Sequence, residues 1–96
     1  MPSAIERIRQ AVRAQHYRIS AHANEEMSED ALELLDIEAV ILTGTTTRGF
    51  THGPRGTRYE VMETTTDGRH ATVVCRLLAS GVLLIITAYV QEENER

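Results

Sequence analysis

Asp36-Ile37-Glu38-Ala39-Val40-Ile41-Leu42-Thr43-Gly44-Thr45-Thr46-Thr47 is where this chain changes character. Ile37, Val40 and Ile41 recur at helical spacing, Asp36 offers a capping carboxylate ahead of them, and Gly44 suits the position just past a helix end. Beyond Gly44, threonines, glycines and β-branched residues replace alanine and glutamate, which is the composition of strands and turns. Helices precede strands, the order expected of an α+β domain.

Two more helical segments lie upstream. Ser3-Ala4-Ile5-Glu6 has the spacing of a capping box, and Ile5, Ile8 and Val12 continue it as one face of a helix from about Ala4 to about Ala14. Tyr17-Arg18-Ile19 reads as a brief extended segment, after which Ser20 can cap a second helix starting near Ala21, with Ala23 and Met27 on its apolar side.

Downstream, Thr45 to Thr51 and Arg58 to Thr64 read as strands around a turn at His52-Gly53-Pro54-Arg55-Gly56. Asp67-Gly68 and Ser80-Gly81 are hairpin signals that separate strands at about Ala71 to Leu78 and Val82 to Val90. The expected architecture is α+β, with N-terminal helices packed on a curled, mainly antiparallel sheet of about four strands. The near-continuous apolar run Val82 to Ile86 points to a central last strand covered by the first helix. A single domain is expected over 1–91, with a polar tail at 92–96.

The 96 residues suffice for one core. Cys75 is the only cysteine, so no disulfide can form within the chain, and no C-x-x-C zinc spacing occurs. No stretch reaches the roughly 18–20 apolar residues of a membrane span, and the first residues lack a signal-peptide core. A cytoplasmic protein is the expectation. The net charge of −4 is unpromising for a nucleic-acid binder, but it is unevenly spread. Asn24 to Glu38 holds seven acids and no base, whereas Arg48 to Arg76 holds five arginines against three acids.

Some residue types in this pattern could carry chemistry. His22 falls in the first turn of the second helix, where the helix dipole favours a neutral ring able to accept or donate a proton. A packed, hydrogen-bonded histidine is the plainer reading of the same position. Thr87 and Tyr89, two apart on the last strand, share a face and could hold a phosphate or a base, or could be there because such residues suit strands. Arg58 and Arg76 put cations on strands, and Arg48, His52, Arg55, Arg69 and His70 add further groups for a nucleic-acid backbone. The histidines at 16, 22, 52 and 70 lack ligand spacing, so no metal and no cofactor are expected.

Taken in order, His22-Ala23, Met27, Asp36-Ile37, Gly44, Tyr59, Asp67-Gly68, Val73-Val74 and Ile86-Thr87-Ala88-Tyr89 resemble the bacterial family known as domain of unknown function 4258, over about residues 17–90. The resemblance implies a fold similar to the barnase, EndoU, colicin and RelE group of ribonucleases, and a toxin of the RelE or MqsR type. It implies a metal-independent endoribonuclease acting on mRNA within a type II toxin–antitoxin module. His22 would be its general acid or base, Arg58 or Arg76 would stabilise the phosphorane, and Thr87 and Tyr89 would position the scissile group. The implied partners are RNA and a cognate antitoxin of zinc-binding, helix-turn-helix type, with a homodimer allowed by exposed strand edges. One departure stands out. Many members carry E-R-G-I where this chain has Glu29-Asp30-Ala31-Leu32, which puts an acid where an arginine could touch phosphate. The competing expectation is a non-catalytic module that keeps the fold and binds a protein, through its acidic helix, or RNA.

Overall fold

The computed structural model describes the backbone of residues 3–53, 56–65 and 67–91, and the side chains of all of these except 47–53 and 56. Three helices, α1 (Ala4–Arg13), α2 (Ala21–Glu29) and α3 (Leu34–Thr43), pack on one face of a sheet built from β1 (Tyr17–Ile19), β2 (Thr45–Gly53), β3 (Gly56–Thr64), β4 (His70–Leu77) and β5 (Leu83–Val90). The strand order is β1-β5-β4-β3-β2, with every neighbouring pair antiparallel except β1 with β5. The α+β architecture is as expected, but the sheet has five strands. Tyr17–Ile19 is too short to announce itself, and it becomes a strand only because β5 offers it an edge.

Capping begins each helix. Ser3 accepts from the Glu6 amide at 3.3 Å while its own amide donates to Glu6 Oε1 at 3.1 Å, and Ser20 Oγ accepts from the Ala23 amide at 3.0 Å. The third helix starts earlier than its sequence suggests. Glu33 is its cap, and Asp36, expected in that role, lies in the first turn and accepts from the Glu33 amide at 2.9 Å. The first two helices end in left-handed residues that are not glycine, Gln15 (φ 57°) and Ala31 (φ 55°). His16 then donates to the Ala11 carbonyl, and Leu32 to that of Met27.

Gly44 is needed for a different reason from the one its sequence context offers. Its φ of −81° is open to any residue, but a Cβ there would meet the Val40 carbonyl and stand 2.7 Å from the Met62 carbonyl. Both later turns do use left-handed glycine. Gly68 (φ 89°) donates to the Thr65 carbonyl and Gly81 (φ 92°) to the Leu78 carbonyl, each closing a three-residue loop flanked by a paired Thr65–Arg69 or Leu78–Val82. The turn expected at 52–56 is narrower, since strand pairing persists to Gly53 and Gly56, and Pro54 and Arg55 lie outside the described residues, as does the tail at 92–96.

The core lies between the helices and the sheet. Ile8, Ile37, Val40, Ile41, Val61, Val73, Leu83 and Ile85 are fully enclosed, each such burial stabilising the fold by about 1.5–3 kcal/mol. The central strand is β4, buried from Ala71 to Cys75, not β5 as its apolar run suggested. Burial pushes the Cys75 thiol up to about 12, so this cysteine acts as an apolar packing group. No helix among the described residues is long and apolar enough to cross a membrane.

Candidate functional site

Pairing of Ile19 with Ile85, of Ile85 with Cys75 and of Cys75 with Tyr59 sets one core row across four strands. Side chains alternate across a sheet, so the adjacent row points away from the helices. That row contains Arg18, Leu84 and Arg76, which are direct partners, and Arg58, which precedes Tyr59 as Arg76 follows Cys75. Arg18 and Arg76 thus flank Leu84 in register on the helix-free face, and Arg58 lies on the same face one residue beyond the Tyr59–Cys75 pair. None of the described hydrogen bonds or ion pairs engages them, and the Nε of Arg76 is shielded from solvent without a partner.

A bulge brings Thr87 and Tyr89 to the same face. Val74 pairs with Thr87 but Cys75 with Ile85, which leaves Ile86 as an extra residue in β5. Before it, Leu83 and Ile85 enter the core; after it, Ala88 and Val90 do. Without the extra residue, Thr87 and Tyr89 would continue the buried phase. With it, Thr87 lies beside Val74 and Glu60, and Tyr89 beside Thr72 and Met62. The Ile86 carbonyl accepts the Ser20 hydroxyl at 2.9 Å, which fastens the bulge to the start of α2.

His22 sits at the edge of this sheet and not over its middle. Its side chain is 66% exposed, and Nε2 lies 3.4 Å from Glu26 Oε1. The same carboxylate oxygen accepts from the Ala88 amide at 3.1 Å, and one turn later Asp30 Oδ2 accepts from the Val90 amide at 2.9 Å. Here α2 takes over where β1 stops, with carboxylates satisfying edge amides that no strand reaches. His22 is therefore tied through Glu26 to the residue between Thr87 and Tyr89.

The remaining candidates separate. Arg69 is a structural tie: Nε donates to Asp67 at 3.0 Å and the guanidinium donates to the carbonyls of Asp30 and Ala31, fixing the β3–β4 turn to the end of α2. The Thr65 hydroxyl and Arg69 hold the Asp67 carboxyl below its usual range. His70 is exposed at the far end of the helix-free face, beside Thr64. Arg48 and His52 belong to β2, but their side chains, like all of Arg55, lie outside the described residues. Among the described residues no three acids, histidines or cysteines gather as a metal site.

Sequence reasoning passed over Arg18 and Glu26, and met Asp30 only as a departure from the family pattern. The alternation Tyr17-Arg18-Ile19 held the signal for Arg18, since two inward apolar neighbours force the arginine outward. Asp30, which replaces an arginine of the resembled pattern, has its own task in capping β5, and Ala31 occupies the glycine position of that pattern in a glycine's conformation.

Neither a curated protein nor a solved structure matches the chain. Residues 19–90, which run from the end of β1 to the end of β5 and hold this face except for Arg18, match the family described as Domain of unknown function (DUF4258), and the chain belongs to that family.

Proposed function

We propose that the chain is the toxin component of a bacterial toxin–antitoxin module and cleaves mRNA without a metal ion, holding the RNA on the helix-free face of its sheet. The observation that carries this reading is the placement of Arg18 and Arg76, in register with Leu84, and of Arg58 beside them on the face that also presents Thr87 and Tyr89. Four strands at about 4.8 Å spacing spread the three guanidinium stems over roughly 14 Å, enough to meet more than one phosphate. Tyr89 adds a ring on which a base can stack. The 2′-hydroxyl oxygen bonds to the adjacent phosphorus as its proton passes to a base, Arg76 or Arg58 offsets the charge of the phosphorane, Thr87 and Tyr89 hold the scissile group, and the phosphorus–O5′ bond breaks to leave a 2′,3′-cyclic phosphate and a 5′-hydroxyl that takes up the proton. His22, with Nε2 turned to Glu26, has Nδ1 left to take or return the proton. A small zinc-binding antitoxin would be the partner that restrains this activity in the cytoplasm.

Purified protein incubated with mRNA in EDTA tests the reading. Cleavage that disappears in Arg76→Ala and His22→Ala supports it; intact RNA, or a His22→Ala variant as active as the parent, overturns the mechanism. The open setting of His22, 66% exposed at a sheet edge, favours a second reading in which the face binds RNA without cutting it. That reading expects salt-sensitive binding, weakened by Arg18→Ala or Arg76→Ala and indifferent to His22→Ala.

A further inference from the structure

Seven acids and no base lie between Asn24 and Glu38; the fold uses the carboxylates of four of them in hydrogen bonds, while Glu33 is the N-cap of α3 with its side chain exposed. Glu26 and Asp30 cap β5, Asp36 accepts from the Glu33 amide, and Glu38 accepts the Tyr17 phenol at 2.5 Å. Glu29 and Glu33 are exposed at the corner where α2 gives way to α3, and Glu25 is exposed one turn earlier on α2. At the same corner stand Leu34, 51% exposed, and Leu35, 75% exposed, the exposed large apolar side chains among the described residues. They are adjacent in the first turn of α3, whose inner face is already filled by Ile37, Val40 and Ile41. The nearby cation, Arg69, is spent on Asp67 and on the carbonyls of Asp30 and Ala31.

An apolar pair inside an acidic rim calls for a partner with the opposite rim. We propose that the α2–α3 corner, centred on Leu34 and Leu35, docks a basic amphipathic segment of another protein, with apolar side chains on the leucines and arginines or lysines toward Glu29 and Glu33. A second copy of this chain fits poorly, because a two-fold contact would bring Glu29 and Glu33 against their own counterparts. The proposal stands apart from the RNA chemistry, since it uses none of Arg18, Arg58, Arg76, Thr87 or Tyr89.

A fluorescent 18-residue helical peptide with one leucine face and one arginine face serves as the probe, titrated into the intact chain without RNA and followed by anisotropy. The expected result is saturable binding that weakens with salt, falls at least tenfold in Leu34→Ser/Leu35→Ser and falls several-fold in Glu29→Gln/Glu33→Gln. All four positions are exposed, and an unchanged melting temperature verifies that the variants fold; amide NMR shifts that cluster at 29–35 on peptide addition give the same answer in the parent. Equal binding of a scrambled peptide of the same composition, or binding unchanged by the leucine substitutions, overturns the proposal. So does a concentration-dependent dimer that the leucine substitutions abolish, which would make a second copy the occupant. Absence of RNA cleavage leaves this result untouched, and loss of peptide binding leaves the RNA face untouched.

Discussion

On the helix-covered face of the sheet, Ile19, Ile85, Cys75 and Tyr59 stand in one row; one residue along, on the other face, stand Arg18, Leu84, Arg76 and Arg58. The same backbone and the same pairing place both rows, yet the first packs into the core, with Ile85 and Cys75 fully buried and Ile19 and Tyr59 partly so, while the second has no helix over it. Apolar residues on the covered face are there to be removed from water. The arginines opposite cannot be explained that way: Arg18 and Arg58 are exposed cations, which add little to stability, and Arg76 is half-buried with its Nε left without a hydrogen-bond partner. The contrast teaches that apolar burial and outward-facing positive charge have been assigned to alternate residues of the same strands, and that a change of register would exchange them.

Substitutions can break that comparison. The largest effect is expected on the covered face, where Ile85→Ala should cost roughly 2–5 kcal/mol in chemical denaturation through lost burial and the cavity left behind. If it costs under 1 kcal/mol, the row does not form the core. Next comes the edge of β5: Glu26→Gln replaces a charge-assisted acceptor of the Ala88 amide and should cost about 1.5 kcal/mol, measured the same way. Ala31→Gly carries the opposite sign and should stabilise by about 1 kcal/mol, because it relieves a left-handed alanine.

Smaller still, and confined to alkaline solution, is the contribution of Tyr17. Burial, with help from the hydrogen bond to Glu38 and its charge, pushes the phenol up to about 12 from 10.0. The raised value means that the fold favours the protonated phenol, so this stability is whole below pH 10 and is lost as pH rises toward 12. Melting temperatures between these limits should fall more steeply in the parent than in Tyr17→Phe. The smallest effect belongs to the helix-free face: Arg76→Gln should leave stability within about 0.5 kcal/mol of the parent while weakening RNA binding. A large loss of stability there would show that Arg76 serves the fold.

What was legible followed from local chemistry. Ser3 with Glu6, Ser20, Gly68 and Gly81 each announce a cap or turn by residue type, and the composition change at Gly44 announces the order of helices and strands. What was not legible depended on distant residues or on exceptions to type. Tyr17–Ile19 joins the sheet only through β5, and helix ends at Gln15 and Ala31 lack the glycine that usually marks them. The site suffered more than the fold. Alternation placed Thr87 with Tyr89, but only the extra residue Ile86 decides which face they join, and no residue type in an apolar strand marks a bulge. Likewise, the acids of α2 read as surface charge because the amides they cap belong to a strand some 60 positions away.

The parallel pairing of β1 with β5 has a consequence for how the protein is made. Tyr17–Ile19 leaves a ribosome well ahead of its sheet partner, Leu83–Ile85, and the carboxylates of Glu26 and Asp30 wait for the same strand. Until β5 emerges, the chain can hold its helices and the β2–β3–β4 meander but cannot seat β1 or finish the core. Such long-range closure slows folding and ties completion of the domain to the arrival of β5. A chain arrested before Ile85 would carry the arginines of β3 and β4 without the strand that aligns them with Arg18, so the open face comes into being only with the finished molecule.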